Sequence, residues 1–129
     1  MSPDIFPCLL EVEKIYSKQF PAVKFETTVD EKRNYKPYSQ TINFKRPEYL
    51  GNRFININVY DDGSSICEKF GKYELQVYLY PIGICYGEPT PNANPTISIY
   101  LKELPTAEYI LKFIDNKIPT QLKDFKKKV

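Results

Sequence analysis

Residues 54–60 read Phe-Ile-Asn-Ile-Asn-Val-Tyr, residues 73–80 read Tyr-Glu-Leu-Gln-Val-Tyr-Leu-Tyr, and residues 97–102 read Ile-Ser-Ile-Tyr-Leu-Lys. All three alternate with a period of two, which is the signature of a strand whose side chains leave it on opposite faces. One face collects Ile55, Ile57 and Val59, then Leu75, Val77 and Leu79, then Ile97, Ile99 and Leu101. Nine aliphatic side chains in three rows require a cover. The opposite face collects Phe54, Asn56, Asn58 and Tyr60, then Gln76, Tyr78 and Tyr80, then Ser98, Tyr100 and Lys102. Thr41 and Asn43 extend it if the strand over residues 38–44 joins in the same sense. This second face is aromatic and amide-rich and nearly uncharged. That mix resembles a contact surface more than an ordinary solvent-facing pleat rich in Lys and Glu. Two blander readings stand beside it: Tyr and Thr are good strand formers on an exposed pleat, or the proline-rich segment over residues 87–95 folds across the face.

The cover for the aliphatic face is found at the two ends of the chain. A helix is predicted over residues 5–17, with Asp4 as N-cap and Pro7 in its first turn, where no intrahelical N–H is lost. Its stripe is Ile5, Leu9, Val12 and Tyr16, with Phe6 and Leu10 beside it. A closing helix begins near Pro105-Thr106 and carries Ala107, Ile110, Leu111, Ile114 and Ile118 on one face. Val23, Phe25, Thr27 and Val29 alternate as a further strand, residues 64–70 read equally as a short strand or a helical turn, and residues 87–95 read as a stiff loop. The fold class is α+β: a mostly antiparallel sheet of about five strands with an N-terminal and a C-terminal helix packed on one face. Residues 1–129 read as one domain, with 119–129 a frayed basic tail.

Composition removes much chemistry. The chain has no histidine, so Ser-His and Cys-His pairs, histidine acid–base catalysis and histidine metal sites are excluded. Its five glycines fall in no phosphate-binding pattern. Cys8, Cys67 and Cys85 are odd in number and widely spaced, which argues against a disulfide framework and for a reducing, cytoplasmic setting. The N-terminal stretch has no signal-peptide pattern, and no apolar run is long enough to span a membrane. Of the net charge of +2, a share of +3 sits in the last seven residues, so the remaining 122 carry −1. A near-neutral body gives weak support for binding polyanions.

Asp61, Asp62 and Glu68 are oxygen ligands that Mg²⁺ would accept, although Asp-Asp-Gly after a strand is the ordinary way to build a turn. Cys85 is a nucleophile candidate that would need a cation or a helix terminus to activate it. Residues 73–81 resemble a strand of the ubiquitin-conjugating and RWD group of folds. The His-Pro-Asn segment of the conjugating enzymes is absent, and no residue is carried over from that group. The sequence-level expectation is a non-enzymatic protein-binding module without cofactor, using Phe54, Asn56, Asn58, Tyr60, Gln76, Tyr78, Tyr80, Tyr100 and Lys102. The alternatives are a nucleic-acid or nucleotide binder on the same face, a homodimer packed through it, and a histidine-free enzyme.

Overall fold

A strand with one aliphatic face has to be covered, and this chain does so with helices from both its ends. The computed structural model describes residues 4–31, 38–46, 49–60, 63–78, 82–85, 88–91, 95–119 and 123. The elements are α1 (Pro7–Gln19), β1 (Lys24–Glu31), β2 (Tyr38–Arg46), β3 (Tyr49–Val59), α2 (Ser65–Phe70), β4 (Tyr73–Val77), β5 (Ile82–Cys85), β6 (Glu88–Pro91), β7 (Ile97–Leu101) and α3 (Ala107–Lys117). Five strands form one sheet in the order β1-β2-β3-β4-β7, and every pairing is antiparallel. The α+β architecture is therefore as expected. Among the described residues no helix is long and apolar enough to cross a membrane.

The core lies between the sheet and the two terminal helices. α1 contributes Cys8, Leu9, Val12 and Tyr16, and α3 contributes Ala107, Ile110, Phe113 and Ile114. They pack with Ile42, Phe44, Ile55, Ile57, Val59, Leu75 and Val77 of the sheet. Leu10, placed beside the α1 stripe by sequence, is instead 46% exposed, and Cys8 takes the inward position. Burial pushes the Cys8 thiol up, so it behaves as a small hydrophobe rather than a nucleophile.

The two helices start differently. α3 has a local cap: the Thr106 hydroxyl accepts from the Tyr109 N–H at 3.1 Å. α1 begins at Pro7, two residues later than expected, and its N-cap residue Phe6 makes no side-chain cap. The Asp4 carboxylate does not cap it. The fully buried Gln40 of β2 does the work from across the core. Its Oε1 accepts from the Phe6 N–H at 2.7 Å and its Nε2 donates to the Asp4 carbonyl at 2.9 Å. A side-chain amide thus pairs with the lead-in to α1 as a neighbouring peptide group would.

One open reading is settled and two expectations change. Residues 65–70 are helical, because Ser64 caps them by accepting from the Cys67 N–H at 3.0 Å. The segment expected as a loop over 87–95 contains β6, which forms a two-stranded hairpin with β5. Pro89 and Pro91 sit opposite Ile84 and Ile82 in that hairpin. Proline is compatible with such a ribbon because both of its strands are edges. The second change is a bulge in β3. Ile42 pairs with Ile55, but Asn43 pairs with Arg53, so the register slips by one residue at Phe54.

Gly71 ends α2 with φ of +124°, and a Cβ there would lie 2.5 Å from the Leu101 carbonyl oxygen. Both the backbone conformation and the space favour glycine. Gly71→Ala is expected to destabilise the fold by about 2–3 kcal/mol, read by urea unfolding. An unchanged midpoint would show that the α2–β7 approach relaxes freely.

Candidate functional site

The register places the polar residues as the alternation implies. Asn56 lies opposite Thr41 on one side and Gln76 on the other, and Asn58 lies opposite Glu74. Their side chains are linked continuously. The Thr41 hydroxyl donates to Asn56 Oδ1 at 2.6 Å, and Asn56 Nδ2 donates to Gln76 Oε1 at 2.8 Å and to Asn58 Oδ1 at 3.0 Å. Asn58 Nδ2 donates to Glu74 Oε1 at 3.0 Å and to Gln76 Oε1 at 3.2 Å. Two tyrosines complete the set: Tyr60 donates to Glu74 Oε1 at 2.7 Å and Tyr78 to Gln76 Oε1 at 3.2 Å. Donors run inward from both ends to two acceptors, the Glu74 carboxylate and the Gln76 carbonyl.

This face is not an open surface. Thr41, Asn56, Asn58, Glu74, Tyr60 and Tyr78 are all buried, none more than 7% exposed. The reason the amides interlock is physical: a buried polar group without a hydrogen bond costs several kcal/mol, and a buried carboxylate costs more. Phe54 is not on this face at all. The bulge turns it to the helix side, where its ring meets Tyr16 edge-on at 4.8 Å and lies 5.9 Å from Phe25. Arg53 takes the polar side instead, its guanidinium 5.9 Å from the centre of the Tyr78 ring. A tyrosine 3% exposed offers no face to a nucleobase or to a second copy packed against it. Tyr80 lies outside the described residues.

What remains open is one margin. Gln76 and Tyr100 are half-buried, and Ser98 and Lys102 are exposed. Tyr100 stacks on Phe70 of α2 at 5.0 Å, and Phe70 is 46% exposed. The Lys69 ammonium lies 5.2 Å from the Phe70 ring centre. Tyr60 lies beneath Tyr100, with ring centres 6.1 Å apart. Sequence reasoning passed over Glu74, although the alternation that selects Gln76 and Tyr78 also selects it. Phe70 was hidden by the ambiguity of residues 64–70.

No catalytic set assembles among the described residues, and none of them form a group of three metal-ligating side chains. Asp61 and Asp62 lie outside the described residues, while Glu68 is exposed on α2. Cys85 is described as part of β5 without its surroundings. An open depression of about 530 Å³ follows the outer side of α1, lined by Pro7, Leu10, Glu11, Lys14, Ile15 and Lys18, and shares no residue with the network. No family model, curated protein or solved structure matches this chain.

Burial, then the hydrogen bond to Glu74 and its charge, raise the Tyr60 hydroxyl well above the usual tyrosine range. The folded state therefore keeps a proton that the unfolded chain releases from about pH 10 upward. Its stabilisation is whole below that pH and is lost as the pH rises beyond it. Tyr16, raised by burial and then by Asp115, acts in the same direction. Stability is expected to fall above about pH 10, and Tyr60→Phe should flatten that fall in part. Asn58→Ala, which leaves Glu74 and Asn56 each short of a partner, should cost about 1–3 kcal/mol in urea unfolding at neutral pH. A neutral effect would mean that water replaces the amide.

Proposed function

We propose that this chain is a non-enzymatic protein-binding module whose contact surface is the margin between α2 and β7. The observation that carries the reading is the Phe70–Tyr100 stack, flanked by Lys69 and Lys102 and standing on a buried network. An exposed aromatic pair supplies contact area at low cost in side-chain entropy, and such residues dominate the energetics of interfaces. Its placement over Tyr60 and Glu74 keeps Tyr100 in position before any partner arrives. Preorganisation of this kind raises affinity by reducing what must be ordered on binding. Two lysines at the rim favour a partner patch with an apolar side chain at its centre and a carboxylate at its edge.

Capture from the cells that make the protein tests this reading, with Phe70→Ser and Lys102→Glu as margin variants. Asn116→Asp, on the exposed side of α3, is the control. A partner held by the wild type and the control, and bound at least about tenfold more weakly by each margin variant, supports the reading. The same proteins recovered equally with all forms would overturn it.

A further inference from the structure

In an antiparallel ladder each residue turns both main-chain groups toward one neighbour, and successive residues alternate. The Tyr60 N–H donates to the Lys72 carbonyl at 2.8 Å, and the Tyr78 N–H to the Phe54 carbonyl at 2.7 Å. Even-numbered residues of β4 therefore turn their main chain to β3. Tyr73, Leu75 and Val77 turn theirs to β7, where they meet Leu101, Ile99 and Ile97. By the same alternation Ser98 and Tyr100 direct N–H and C=O away from β4, and no described strand lies on that side. The opposite edge of the sheet is different. There the outward Thr27 N–H donates to Glu13 Oε1 of α1 at 3.1 Å, which takes up one outward amide of β1.

We propose that β7 pairs antiparallel with β7 of a second copy of this chain, about a two-fold axis at Ile99, joining two five-stranded sheets into one of ten strands. The register is self-complementary. With Ile99 opposite its own copy, Ser98 of each chain falls opposite Tyr100 of the other, and those are the two residues whose main-chain groups point outward. On the helix side, the partly buried Ile97, Ile99 and Leu101 meet the same row from the second copy and continue the apolar layer. On the polar side each Tyr100 ring lies beside the small Ser98 of the other chain. Lys102 falls opposite Thr96, so the two lysines stand at opposite ends of the ladder, about 20 Å apart and beyond the screening length of about 8 Å. A two-fold pairing uses the same edge of both chains and therefore closes at two copies, and at the opposite edge Glu13 already holds an outward amide of β1.

This pairing uses the main chain of β7, whereas the proposed partner surface uses side chains above it, and the inference rests on that reading only in sharing Tyr100. The two fail separately: the dimer is tested on the purified chain alone, the partner surface by margin-dependent capture. Sedimentation from low to high micromolar should show the mass rising from 15.1 kDa toward twice that value. Protection of the Ser98 and Tyr100 amides from hydrogen exchange should rise with concentration. Ser98→Pro removes an outward N–H and leaves the bonds to β4 in place, so it should keep the fold and hold the mass at the monomer value. Ser98→Lys, which adds one cation per chain to the two Lys102 ammonium groups on the polar side of the ladder, should weaken association at low salt and serves if the proline form does not fold. A monomer mass throughout, or association that survives in folded Ser98 variants, would overturn the proposal.

Discussion

Every side chain of residues 54–60 is buried, on two faces of opposite chemistry. Most of the molecule follows from that constraint on β3. The aliphatic face requires a layer of helix, so the chain returns α1 and α3 to it. For the amide face a cover alone is not enough. Its groups must find hydrogen bonds, and among the described residues the cross-strand register supplies the partners at the right spacing. Thr41, Gln76 and Glu74 therefore have to be opposite Asn56 and Asn58. A slip of one residue would bring aliphatic side chains against carboxylate and amides. The polar network thus acts as a register key, a role distinct from its share of the stability.

The two edges of the sheet are treated unequally. β1 lies under α1 and has an outward amide closed by a carboxylate. β7 has Ser98 and Tyr100 at the positions whose main chain faces outward, and no described strand pairs with it there. Edge strands are ordinarily blunted, because an exposed ladder pairs indiscriminately. Under the proposed pairing this difference gives the sheet a direction, since the second copy adds at β7.

Much of the architecture was legible. Period-two alternation in three segments, with helical stripes at both ends, was sufficient for the class, the strand faces and the position of the core. The state of the second face was not legible, because Asn, Gln and Tyr in alternation read the same whether water or other amides satisfy them. Phe54 was misplaced because alternation assumes an uninterrupted pleat, and nothing in Arg53-Phe54-Ile55 announces a bulge. The hairpin of β5 and β6 was obscured by its prolines, which mark a loop in most contexts and are tolerated in a ribbon made of two edges. The capping of α1 was missed for a related reason: local rules looked to Asp4, while the partner is 34 residues away in β2.

That distant partner has a consequence for where the start of the helix is encoded. A helix with its own cap, such as α3, carries the instructions for its beginning within a few residues. α1 does not. Its entry is set by an amide that is in place only where β2 lies beside its neighbours in the sheet. The boundary of a secondary element is here a property of the tertiary structure.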